Sequence, residues 1–119
     1  MIYPQEIEVW YLLPAIRREL SKFLVNDGLT QREIASKLGI TEAAVSQYLK
    51  EKRGNEVSFD EKMKNYIRIS SKRIILKGEV MKEVEKIISF MRKTRFICGI
   101  HHKYDSSLPK NCEICIYEK

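Results

Sequence analysis

The chain has no apolar run near the eighteen or so residues that cross a bilayer, and its start, with Glu6 and Glu8, has no cationic stretch leading into an apolar one. Those absences argue against a helical membrane span and an export signal, so a soluble cytoplasmic protein is expected. Cysteine is scarce. There are three, an odd number, all beyond residue 97, which argues against a disulfide scaffold and favours reduced thiols or metal ligands. No internal repeat or low-complexity run is present. No nucleophile is paired with a base and no spare metal ligand holds an open site, so no enzyme is expected.

What is present is globular. Of the 119 residues, 44% are hydrophobic and 32% charged, enough to fold one compact unit or two very small ones. Lys and Arg number 22 against 16 Asp and Glu, giving a formal charge of +6 and a pI near 9.3. Residues 1–57 hold 8 basic and 8 acidic side chains, residues 58–119 hold 14 and 8, so all the excess lies in the second half. A polyanionic partner fits this balance, as does a solvated lysine-rich surface. If the partner is DNA, phosphate neutralisation must come partly from the later helices or from both subunits of a dimer.

In residues 1–28, Trp10, Leu13, Ile16, Leu20, Phe23 and Leu24 recur at steps of three and four, one face of a helix that Asp27-Gly28 stops. Pro14 belongs in a first turn or at a kink, so Tyr3 to Tyr11 is expected as a separate short helix, with Val9 and Trp10 packed beneath later helices. Ser58 and Glu61 read as a capping box opening a helix from Phe59 to about Leu76, which Gly78 breaks or bends. Val80, Val84, Ile87, Ile88 and Met91 continue a narrow stripe whose burial a second subunit could complete, so a homodimer is expected. After Arg95 the periodicity stops.

Between these segments, Thr30 and Glu33 form a capping box, and Ala35 is small where a second helix would cross the first. Gly39 can adopt the positive φ of a sharp turn, and Thr41 can cap the second helix. Ile34, Leu38, Ile40 and Val45 would form the shared core. Glu42, Ala43, Ser46, Gln47 and Lys50 would face outward.

The layout Gln31-x3-Ala35-x3-Gly39-x5-Val45 resembles the lambda-repressor-like helix-turn-helix family over residues 31–50. In that family the second helix enters the major groove and the first lies across the phosphate backbone. The resemblance implies a recognition helix from Thr41 to Lys50, with Glu42, Ala43, Ser46 and Gln47 meeting base edges. Gln47 would pair with adenine and Ala43 would touch a thymine methyl. Gln31, Thr41, Lys50, Lys52 and Arg53 would hold phosphates. Glu42 departs from the pattern of a strong DNA binder, because phosphate repels it.

Cys98-x2-His101 and Cys112-x2-Cys115 are two ligand pairs with knuckle spacing. Three thiolates and an imidazole suit a closed tetrahedral zinc site, with an iron–sulfur cluster as the rival and His102 as an alternative ligand to His101. Such a site supplies folding free energy on the order of 10 kcal/mol, enough to order a tail without its own core. A Cys112/Cys115 redox couple lacks the strand-to-helix setting such motifs occupy. Taken whole, the chain resembles short, mainly archaeal, predicted regulators with a Cys-x2-His…Leu-Pro-x2-Cys-x2-Cys tail, which implies transcriptional regulation without naming an operator or signal.

The expected architecture is all-α: a helix-turn-helix domain at 1–57, a helical dimerisation region at 58–96, and a metal-binding tail at 97–119. The expected function is sequence-specific binding of double-stranded DNA by a transcriptional regulator. The rivals are an iron–sulfur redox or iron-sensing regulator and a helical protein-interaction adaptor that binds no DNA.

Overall fold

Pro14 shapes the N-terminal helix. It has no N–H to give the preceding turn, and its ring crowds the carbonyl four residues back. The computed structural model, which describes residues 1–108, answers with a π-helical turn over Glu8–Leu12, in which the Leu13 N–H reaches back to the Glu8 carbonyl. This turn joins α1 (Pro4–Ile7) directly to α2 (Leu13–Asn26). The extra residue rotates everything before it relative to α2, so Ile7, Leu12, Ile16, Leu20 and Leu24 share the buried face. Val9 and Trp10 turn outward, 60% and 52% exposed, which corrects the expectation that they pack beneath later helices.

Two short helices follow, α3 (Gln31–Leu38) and α4 (Glu42–Leu49), then a loop and three further helices: α5 (Glu61–Lys77), α6 (Val80–Lys93) and α7 (Phe96–Tyr104). No strand occurs among the described residues. Asp60, not Ser58, caps α5, its carboxylate accepting the Met63 N–H at 2.9 Å. Val57 and Phe59 are buried in the core, so the chain is still extended at Ser58 and turns into helix only two residues later. Gly78, at φ 70°, ends α5 outright.

Two apolar clusters result. The larger draws on the N-terminal helix, α2, α5, α6 and α7, running from Ile7 through Ile67, Ile74 and Ile87 to Ile97 and Ile100. Ile87, Ile88 and Met91 are buried inside it, so three of the five residues expected at a subunit interface are spent on the chain's own core. The smaller cluster, Leu24, Ile34, Ala35 and Val45, holds α2, α3 and α4 together.

The sequence pattern also missed α7. Gly99 and two adjacent histidines interrupt its hydrophobic rhythm, yet Ile97 and Ile100 are buried and Phe96 packs against Phe59 with centroids 5.5 Å apart. The N-terminus fastens α7 from outside the helix. The Ile2 N–H donates to Asp105 Oδ2 at 2.8 Å, the Ile2 carbonyl meets His101 Nε2, and Tyr11 stacks on Tyr104 with centroids 4.0 Å apart.

Candidate nucleic-acid interface

Both helices of the central pair start where a side-chain oxygen replaces a missing backbone partner. Thr30 accepts the Glu33 N–H at 3.1 Å while Glu33 Oε1 accepts the Thr30 N–H at 3.1 Å; the Thr30 backbone N–H first, and then the Thr30 hydroxyl, hold the Glu33 carboxyl below its usual pKa. Thr41 accepts the Ala44 N–H at 3.0 Å. Between the helices Gly39 sits at φ 68°, the left-handed conformation needed to turn α3 into α4 within two residues. Ala35, buried at the crossing, leaves room for α4, and Ile34 and Val45 are fully buried beneath it. Leu38 and Ile40, half-buried, close the edge of this core.

That packing places one face of α4 outward. Thr41, Glu42, Ala43 and Lys50 are exposed, and Ser46 and Gln47 are half-buried. The side chains of Ser46 and Gln47 make no hydrogen bond to other described residues, so the Gln47 carboxamide keeps its donors and acceptor for a ligand. Gln31 is exposed at the start of α3. Arg32 and Ser36 are also exposed on α3. Both were overlooked in the sequence, although the spacing of Ile34, Ala35 and Leu38 marks the buried side and so leaves them outside.

Beyond α4 the backbone follows a Schellman turn: the Glu51 N–H bonds the Tyr48 carbonyl at 3.0 Å and the Lys52 N–H bonds the Gln47 carbonyl at 2.8 Å, with Glu51 at φ 58°. Lys22 of α2 reaches Glu51 Oε1 at 2.6 Å and lowers its carboxyl pKa. Lys52 and Arg53 are exposed and have no ion pair among the described residues.

The next residue, Gly54, is buried at φ 70° against the Pro14 carbonyl. Arg18, buried on α2, clamps the loop: its Nη1 donates to the Gly54 carbonyl and, at 2.8 Å, to the Val57 carbonyl. Its Nη2 lies 3.2 Å from Glu19 Oε1, and the guanidinium sits 5.7 Å from the Phe59 ring centroid. The two cations are thus carried on a fixed loop beside the exposed face of α4. Nothing local in the sequence marks Arg18 for this task, since its partners lie 36 and 39 residues away.

Among the expected metal ligands, Cys98 and His101 lie one turn apart on α7, both buried, in a helix rather than a knuckle turn. His102 Nδ1 is 2.8 Å from the Cys98 carbonyl. Cys112 and Cys115 lie outside the described residues. Among the described residues no three His, Cys, Asp or Glu side chains group as a metal site.

Residues 17–51 match a family model described as winged helix-turn-helix DNA-binding. The matched stretch takes in most of α2, all of α3 and α4, and ends at Glu51. No curated protein and no solved structure is found to match the chain. The match and the geometry agree on a helix-turn-helix of the DNA-binding class within an all-α fold. Among the described residues, no helix is long and apolar enough to cross a membrane.

Proposed function

We propose that this chain is a transcriptional regulator that reads double-stranded DNA by placing α4 in the major groove. One observation carries the reading: a Thr41-capped helix, braced from behind by Val45 and Ile34, presents Ala43, Ser46 and Gln47 with no partner of their own. Gln47 then reads adenine, while Gln31, Lys50, Lys52 and Arg53 take phosphates. The lambda-repressor-like form is favoured over a winged one, because the chain after α4 folds back onto α2 as loop and helix and no strand occurs among the described residues.

Titration of labelled duplex DNA at rising salt tests this. A linear fall of log affinity with log salt, together with preference for one sequence over random DNA, is the expected result. Indifference to all DNA at low salt would leave the protein-interaction adaptor as the better reading.

A metal centre remains part of the proposal. Cys98 and His101, one turn apart on α7, supply half of a Cys3His set that Cys112 and Cys115 would complete. Zinc is favoured by the mixed thiolate and imidazole donors, with an iron–sulfur cluster as the alternative. A metal at His101 must use Nδ1 or displace the Ile2 carbonyl from Nε2.

A further inference from the structure

The full burial of Ile87 and Met91 leaves Val80, Val84 and the edge of Ile88 as the part of the expected interface that still borders open space. Along the outer side of α2 and the first turns of α6 runs a groove of about 520 Å³, lined by Leu13, Leu20, Leu38, Val80, Val84 and Ile88. Met81, at its edge, is 90% exposed. An exposed methionine at the edge of an apolar groove is a side chain that commonly anchors protein interfaces.

The groove carries a cation on one side and an anion on the other, so a second copy of the same surface can match it. Arg17, half-buried on the α2 side, has no ion pair among the described residues. Glu85 stands on the α6 side, its side chain 65% exposed and 3.4 Å from Arg92 Nη1. In a two-fold contact each surface meets itself, so one copy's Arg17 can face the other's Glu85, twice. From this groove and its paired charges we infer that the Leu13–Arg17–Leu20 side of α2 and the start of α6 form the contact between two copies of this chain.

The inference deepens the DNA reading and rests partly on it. One recognition helix of eight residues covers too little DNA for useful specificity, and a second copy is the standard remedy. Gly39, the turn of the helix pair, also lines the groove, so the contact lies beside the reading element. Two copies joined there would present two α4 helices related by the same two-fold axis, as an inverted-repeat site requires.

Sedimentation of the full chain without DNA, from about 1 to about 100 µM, tests the contact apart from any DNA reading. A monomer–dimer equilibrium is expected in that range. Met81→Asp should weaken it at least about tenfold with an unchanged melting temperature of the dilute monomer, because Met81 has almost nothing to lose on folding. Arg17→Glu and Glu85→Arg should each weaken it comparably, and the double variant should regain most of the loss, the signature of those two side chains meeting across the contact. A chain that stays monomeric throughout overturns the inference, as does a dimer insensitive to Met81→Asp and to both charge reversals. A dimer that obeys the charge swap but ignores DNA upholds the contact and removes only the DNA reading.

Discussion

Gly54 sits directly under the carbonyl of Pro14. A methyl group on Gly54 would lie 2.8 Å from the Pro14 carbonyl carbon, nearer still to its oxygen, and 3.2 Å from the Ala15 nitrogen. The same proline that forces the π-helical turn in the first helix is therefore the surface on which the loop after α4 rests. Gly54→Ala meets backbone that cannot move aside, at a φ that penalises any side chain. It should cost roughly 2–4 kcal/mol, read as a lower urea midpoint at unchanged slope. An unchanged midpoint would mean that the two backbones do not approach this closely.

Arg18 is the second fastener of that loop. Replacing it with Ala leaves the Gly54 and Val57 carbonyls and the Glu19 carboxylate without their donor, an expected loss of about 2–4 kcal/mol. Lys should recover little, because an ammonium lacks the forked geometry that serves two carbonyls and a carboxylate together. If the loop holds Lys52 and Arg53 toward DNA, Arg18→Lys should also weaken all DNA sequences alike under conditions where the protein remains folded.

The reading face itself separates by kind of contact. Gln47→Ala should cost about 1–3 kcal/mol on the preferred site and leave random DNA nearly untouched. Lys52→Ala and Arg53→Ala should weaken every duplex and each flatten the salt slope by about one unit. Competition titrations against random DNA distinguish the two patterns, and a Gln47 variant that loses random DNA equally would show that this side chain does not read bases.

The N-terminal fastening should respond to acid. Hydrogen bonds from the Ser107 hydroxyl, the Ile2 N–H and the Ser107 N–H lower the Asp105 pKa from 3.8 to about 2. A carboxyl whose folded pKa is depressed contributes stability in full above its unfolded value and loses it as the pH falls through the folded one. Stability should therefore decline between about pH 4 and about pH 2 partly through Asp105. Denaturation series on the wild type and Asp105→Asn across that window should diverge, with the variant less pH-dependent; parallel curves would remove Asp105 from the fastening.

For the metal centre, elemental analysis of anaerobically purified protein should find one zinc per chain, lost in Cys112→Ser. Iron with sulfide and a visible absorption band would favour the cluster. Because Ile97 and Ile100 already anchor α7 in the main core, chelation should leave the helical signal almost unchanged. A large helical loss would make the ion part of the core rather than of the tail.

Local chemistry made the helix-turn-helix legible from the sequence: the Thr30 box, the small Ala35, the left-handed Gly39 and the Thr41 cap act within four residues of themselves, so their spacing is their meaning. The buried phase of the first helix was legible only in part: the periodicity placed Ile16, Leu20 and Leu24 inside but carried Trp10 and Leu13 with them, whereas the π-helical turn puts Ile7 and Leu12 there instead. Tertiary structure alone decided the rest. It turned Trp10 out, spent Ile87, Ile88 and Met91 inside, and drew α7 into the core through Ile97 and Ile100. It also brought Arg18 to the loop at Gly54 and Val57. Those outcomes depend on which distant backbone occupies the space beside each residue, and hydrophobic periodicity reports only that a face is apolar, not what it meets.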